Sequence, residues 1–194
     1  DLGISRVDTY LAGNFEGHIK YPVFMKPISS TGSRGARLIE NDNQFNSYLK
    51  LEKYLPEEVM VQEYLEGEEF TVSVAVNNLN RLMAIVPKKV ILKKGITQHA
   101  VTQKNKIISE ICRKIVEEMR PGGPFNVQLI MKDKQARIFE INPRFSTTSI
   151  LSCEAGINGF EMCIENYGKR NISPTDNFIE NIYLYRRWES LFFK

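Results

Sequence analysis

Four residues in the stretch GPFNVQLIMKDKQARIFEINPR, residues 123–144, could do chemistry together: Gln128, Glu140, Asn142 and Arg144. A carboxylate with two amide oxygens is a hard oxygen set suited to Mg²⁺ or Mn²⁺, ions that complete their shell with water and a ligand's phosphates. Arg144, just beyond, offers a planar fork for a phosphate or carboxylate. The set can form only if the stretch doubles back on itself. Residues 125–131 are rich in apolar, β-favouring types, 132–135 are polar, and 136–141 resume strand character until Pro143 stops it, which reads as a hairpin. Side chains of an antiparallel pair can share a face when their positions differ by an even number and the register allows it, and Gln128, Glu140 and Asn142 meet that parity. A solvent-facing strand with ordinary polar residues fits the same pattern, so the hairpin alone leaves both open.

A second group lies upstream. Lys26 ends an apolar strand, YPVFMKP, and the loop ISSTGSRG follows it, with Ser30, Thr31, Gly32 and Ser33 at its centre. Backbone N–H groups and hydroxyls of such a loop can face an anion closely, and the lysine is a point charge for an α- or β-phosphate. Ser/Gly turns between strands are also common without any ligand. No G-x-x-x-x-G-K-[ST] is present, and VFMK is followed by neither H-R-D nor D-F-G, which excludes a P-loop and a protein kinase. Gln62, Glu63, Tyr64 and Leu65, in VQEYLEGEEF, read as a linker strand that can offer adenine backbone groups and a flat wall. Glu69 can accept from ribose hydroxyls. Taken alone, these carboxylates are more often surface charges.

The elements that must position these groups alternate strand and turn. Strands are expected near 7–11, at 21–27, 36–40, 59–65, 70–76 and 81–90, and a helix capped by Asn41 or Asp42 runs to about Tyr54. Residues 88–101, KKVILKKGITQHAV, read as a loop, with Lys93 and His99 as candidates for substrate contact against the plainer reading of an exposed loop histidine. His18 reads as an exposed loop residue. Ile107, Ile108, Ile111, Ile115 and Met119 recur at helical spacing within 104–120. Ser146 or Thr147 can cap a helix ending near Gly156, 160–167 suggests another, and the closing IYLYRRWESLFF begins as a strand whose Tyr and Trp pack. The composition shift near Leu65 divides the chain into lobes 1–65 and 66–194.

At 194 residues, 42% hydrophobic and 25% charged, the chain suits one soluble domain or two small lobes, and a net charge of +3 argues for neither nucleic acid nor membrane. No apolar run approaches the about 18 residues a membrane span needs. Cys112, Cys153 and Cys163, an odd number in helical apolar contexts, read as buried free thiols of a reducing, cytoplasmic setting. The chain opens on Asp1 rather than Met, as a fragment or processed product would. A homo-oligomer is compatible with all of this.

The succession of the lysine in YPVFMKP, the glycine-rich loop, VQEYLEGEEF, GPFNVQ and FEINPR resembles the ATP-grasp superfamily, and NVQ with EINPR followed by Ser/Thr looks most like the carbamoyl-phosphate synthase large chain and its relatives. The resemblance covers residues 21–156. It implies an α+β fold of two lobes with mainly antiparallel sheets and ATP between them. It further implies that Lys26 binds phosphates, that the loop 29–35 closes over them, that residues 63–65 meet adenine, and that Glu69 meets the ribose. Gln128 and Glu140 would bind Mg²⁺ or Mn²⁺ with Asn142 contributing, and Arg144 would steady the transferring phosphoryl group or the acid. The implied activity is an ATP-dependent ligase that joins a small carboxylate to an amine or ammonia through an acyl phosphate. A noncatalytic, regulatory ATP-binding module is the alternative. The resemblance also implies a domain ahead of the lobes, which this sequence is not expected to include.

Overall fold

Two antiparallel sheets carry the fold in the computed structural model, which describes residues 4–15, 17, 19–30 and 34–193. Ser5–Gly67 forms one unit and Glu68–Lys194, with Ile4, the other. Each is built on its own sheet.

The Ser5–Gly67 unit holds four strands in the order β1-β4-β2-β3: β1 (Thr9–Leu11), β2 (Val23–Pro27), β3 (Arg37–Ile39) and β4 (Val59–Glu63). Alternation does the sorting. Val23 and Met25 of β2 and Val59 and Val61 of β4 are fully buried with Ile39 and Tyr48, while Phe24 and Lys26 take the other face. Helix α1 (Asp42–Glu52) starts where the Asn41 side chain accepts from the Gln44 backbone N–H.

The Glu68–Lys194 unit holds six strands in the order β10-β7-β6-β5-β8-β9. They are β5 (Glu68–Val76), β6 (Leu82–Lys94), β7 (Ile96–Thr102), β8 (Phe125–Lys132), β9 (Gln135–Asn142) and β10 (Tyr183–Tyr185). Helix α2 (Lys106–Met119), capped by Asn105, lays Ile108, Cys112, Ile115 and Val116 on one sheet face against Phe70, Val72, Val127 and Leu129. Helices α3 (Ser149–Glu154) and α4 (Gly159–Glu165) lie in the chain that covers part of the other face, where Ala75, Ala84 and Val86 meet Ala155, Ile157 and Phe178. Among the described residues no helix is long and apolar enough to cross a membrane.

Several sequence expectations change. Residues 88–101 are not a loop: β6 continues to Lys94, Gly95 turns at φ +71°, and β7 returns. Register shifts at Val90/Leu92 and Leu92/Lys93 break the alternation that would have marked the strand. His99 accordingly sits half-buried on β7, its ring 4.6 Å from that of Tyr185. Met119 stays 52% exposed because α2 ends beyond the sheet contact. Only Cys112 of the three thiols is fully buried. Trp188 is 93% exposed, so it does not pack, and strand structure at the C-terminal end is confined to three residues.

Candidate functional site

The β8–β9 hairpin turns at Asp133 and Lys134, both with positive φ (48° and 62°), the conformation a two-residue type I′ turn requires. From that turn the register pairs Lys132 with Gln135 and runs regularly to Leu129 opposite Ile138. A bulge follows. Phe139 is the extra residue, and beyond it Gln128 stands opposite Glu140 and Asn126 opposite Asn142. Continued across β5 and β6, the pairings place Thr102, Lys88, Thr71, Gln128 and Glu140 in one row across the sheet.

The side chains at the β9 end of this row meet. Asn142 donates from Nδ2 to Glu140 Oε1 at 2.6 Å, and Gln128 Nε2 lies 3.3 Å from the same oxygen. Lys93, which β6 carries back over this face, donates from Nζ to Gln128 Oε1 at 3.0 Å and to Glu69 Oε1 at 2.6 Å, with Nζ 5.5 Å from the Phe139 ring centroid. The cluster is half-buried. Behind it, in the interior, Thr71 Oγ1 donates to Asn126 Oδ1 at 2.9 Å. Arg144 is exposed, with Nη1 donating to the Phe145 carbonyl at 3.1 Å.

Among the described residues no three His, Cys, Asp or Glu side chains are grouped as a metal site. One carboxylate instead has two amides converging on it through their nitrogens, so the amide oxygens would turn toward it to complete an oxygen set. That set fits a hard divalent cation that retains much of its water, because such an ion needs only one or two protein carboxylates. The Lys93 ammonium already provides one positive charge beside Glu69 and Gln128.

In the Ser5–Gly67 unit, Lys26 stands opposite Met60, and Gln62 stands opposite Phe24 and Thr9. Alternation therefore puts Lys26 and Gln62 on one face of that sheet and Glu63 on the other. Gln62 is buried and donates from Nε2 to Thr9 Oγ1 at 3.1 Å. Tyr64, 40% exposed, and Leu65 follow β4. Ser30 is exposed, whereas His18, Thr31, Gly32 and Ser33 lie outside the described residues. The ends of the loop after Lys26 are fixed: Ile28 N–H donates to Glu58 O at 2.8 Å, and Tyr48 OH donates to Gly35 O at 2.7 Å. Gly35 has φ +73°, and a Cβ there would come within 2.9 Å of Pro27 Cγ, so only glycine suits the position. Burial pushes the Tyr48 phenol up to about 12 and keeps it a donor.

Sequence reasoning missed Asn126 and Thr71, which looked like strand interior, and Lys88, which sat in the supposed loop. It held Lys93 only as a candidate. The lysine-rich run 88–94 was the available signal, obscured by the two register shifts.

The chain matches, over residues 56–183, a family described as ATP-grasp in the biosynthetic pathway with Ter operon. It is 30% identical over 138 residues to a D-alanine--D-alanine ligase of Petrotoga mobilis, a match covering 63% of this chain and 46% of that protein. An N5-carboxyaminoimidazole synthetase from Staphylococcus aureus, complexed with ADP, shares the fold with a TM-score of 0.74 and 20% identity, over 89% of this chain and 50% of that one. The biotin carboxylase domain of a Hydrogenobacter thermophilus 2-oxoglutarate carboxylase, in complex with MgADP, ADP and bicarbonate, does so with a TM-score of 0.72 and 15% identity, over 94% and 46%. The chain thus spans about half the length of these relatives. The fold is the α+β ATP-grasp fold with antiparallel sheets, and the chain belongs to the ATP-grasp superfamily, in the family described as that of the biosynthetic pathway with the Ter operon.

Proposed function

We propose that this chain is the nucleotide- and metal-binding part of an ATP- and Mg²⁺-dependent ligase that activates a small carboxylic acid for capture by an amine or ammonia. The observation that carries the reading is the Glu140 carboxylate with Gln128 and Asn142 converging on it, within the segment matched by the family. Free thiols and a nucleotide requirement suit a cytoplasmic setting.

In this reading the Ser5–Gly67 unit is the smaller lobe. Lys26 and the loop 29–35 hold ATP phosphates, and residues 62–65 meet adenine. Glu69 accepts from the ribose hydroxyls. Gln128, Glu140 and Asn142 would hold Mg²⁺ or Mn²⁺, which when bound neutralises phosphate charge and aligns the β- and γ-phosphates. Arg144 pairs with the acid or the transferring phosphoryl group through its fork. A substrate carboxylate oxygen attacks the γ-phosphorus and the bond to the ADP oxygen breaks; the nitrogen nucleophile then attacks the acyl carbon of the acyl phosphate, forming the C–N bond and losing a proton as the C–O bond breaks and inorganic phosphate leaves. These side chains bind, orient and neutralise charge, which is most of what phosphoryl transfer asks of a protein. The finer assignment, a carbamoyl-phosphate-synthase-like enzyme, rests on the NVQ and EINPR motifs.

One observation favours a second reading, a noncatalytic ATP-binding regulatory module: the Lys93 ammonium lies on Gln128, an intended metal ligand. Calorimetric binding of a nonhydrolysable ATP analogue, with and without Mg²⁺, tests nucleotide use, and ATP-dependent hydroxamate formation from candidate acids in hydroxylamine tests ligation. Mg²⁺-dependent binding with hydroxamate supports the ligase, and binding without hydroxamate supports the module. No binding ends both.

A further inference from the structure

Strand β10 ends the six-stranded sheet, and among the described residues β7 is its one neighbour. Arg186 N–H donates to Gln98 O at 3.0 Å and Thr102 N–H to Ile182 O at 3.0 Å, so residues 182 and 186, and by alternation 184 between them, turn their backbone groups toward β7. Tyr183 and Tyr185 therefore present their N–H and C=O groups to the open edge. Just beyond, Arg186 is pinned by its side chain, Nε donating to Thr97 O at 3.1 Å and Nη2 to Thr147 O. The chain leaves the sheet at a fixed point.

What it carries from there is apolar and uncovered. Tyr183, Tyr185, Trp188, Leu191, Phe192 and Phe193 are between 54% and 93% exposed. Aromatic side chains of about 150–250 Å² each, exposed to that extent, bring on the order of 600–1,000 Å² into one stretch. The largest apolar patch of a monomer is about 300–600 Å², and a stable interface takes about 800 Å² from each partner. Charge does not point to a lipid or nucleic-acid surface. Arg187 and Glu189 cancel, and the Arg186 guanidinium is already spent on two backbone carbonyls.

We propose that the β10 edge and the aromatic stretch behind it form a self-association surface whose partner is a second copy of this chain. Antiparallel pairing about a two-fold axis at Leu184 sets Tyr183 opposite Tyr185 of the second copy, and the reverse, so the outward N–H and C=O groups of both tyrosines are exchanged. The edge is complementary to itself. Both contacts are cross-strand aromatic pairs, and Arg186 falls opposite Ile182, so no like charges meet. The two six-stranded sheets join into one, and the contact closes because each copy uses the same strand once. Residues 188–193 of each copy cover the junction.

Sedimentation velocity on the full chain across about 1–100 µM is expected to show a concentration-dependent species of twice the chain mass. Tyr183→Glu with Tyr185→Glu sets like charges opposite each other twice and should raise the dissociation constant at least about tenfold. Ending the chain at Arg187 should raise it by a similar factor, about tenfold, through loss of the aromatic cover. Urea midpoints close to wild type establish that both variants fold. Leu184 lies on the axis, in a pair whose Cα atoms stand about 4.5 Å apart and can be bridged by a disulfide. Leu184→Cys should accordingly give a reducible covalent dimer under mild oxidation, while the wild-type chain with its three thiols does not. A monomer throughout the range, a dimer that both surface variants leave intact, or no cross-link through position 184 overturns the proposal. So does binding of a monomeric chain, through residues 188–194, to phosphatidylcholine–phosphatidylserine vesicles, which would give the surface to lipid.

Discussion

Glu140 stands opposite Gln128, with Gln128 Nε2 3.3 Å from Glu140 Oε1, because one extra residue, Phe139, is inserted between them and the turn. In an unbroken register Gln128 would face Phe139, and Glu140 would face Val127, whose side chain is fully buried in the core. The bulge moves a carboxylate from the apolar face of the sheet to the polar one. A local irregularity makes the site.

Glu140→Gln is expected to lower Mn²⁺ affinity at least about tenfold, measured by electron paramagnetic resonance, because it removes the one carboxylate of the set. Unfolding free energy should change by less than about 1 kcal/mol, since the residue is half-buried and glutamine keeps its size and an acceptor oxygen. Unchanged Mn²⁺ affinity would take Glu140 out of the metal site.

Lys93 shares Gln128 and Glu69 with any incoming cation. Lys93→Met should therefore strengthen nucleotide-free Mn²⁺ binding by about threefold or more, as a like charge a few ångströms away is removed. Equal affinity in the two proteins would show that the ammonium does not compete.

Lys26 lies half-buried on the outer face of β2, away from the Val23 and Met25 core. Lys26→Ala should weaken ATP-analogue binding about tenfold in calorimetry while shifting unfolding free energy by no more than about 0.5 kcal/mol. A large loss of stability with intact binding would make Lys26 a structural residue.

Ile115 and Met119 lie four apart on α2, yet Ile115 is 1% exposed and Met119 52%. Chemical denaturation should give about 2–5 kcal/mol of destabilisation for Ile115→Ala and within about 0.5 kcal/mol for Met119→Ala. Equal costs would mean that α2 is rotated from this placement.

The Lys88 ammonium, ordinarily at 10.5, is lowered to about 7 by burial, so between those values the folded protein holds fewer protons than the unfolded chain. Stability consequently rises with pH from about 7 upward. Cys112, pushed up to about 12 by burial, opposes this above its ordinary 9.0, which leaves pH 7 to 9 as the clean window. Across it the wild-type protein should gain up to about 1.4 kcal/mol per pH unit over Lys88→Met in urea unfolding. Parallel profiles would mean that Lys88 titrates at its ordinary pH when folded.

Sequence determined what local chemistry controls. Alternation in VFMKP sent Val23 and Met25 inward and Lys26 outward, Asn41 capped α1, and the polar run after Met131 turned the hairpin. The order of the motifs also carried the ATP-grasp resemblance, since residue types and spacing survive without coordinates. Tertiary structure decided the rest. Positions in a single strand do not reveal a bulge, because a one-residue insertion shows only against the neighbouring strand; so the face taken by Glu140 and the continuation of β6 to Lys94 were both hidden. Lys88 and its serines come from β6, β5 and α3, 15 and 64 residues apart, and only folding brings their hydroxyls around one buried ammonium.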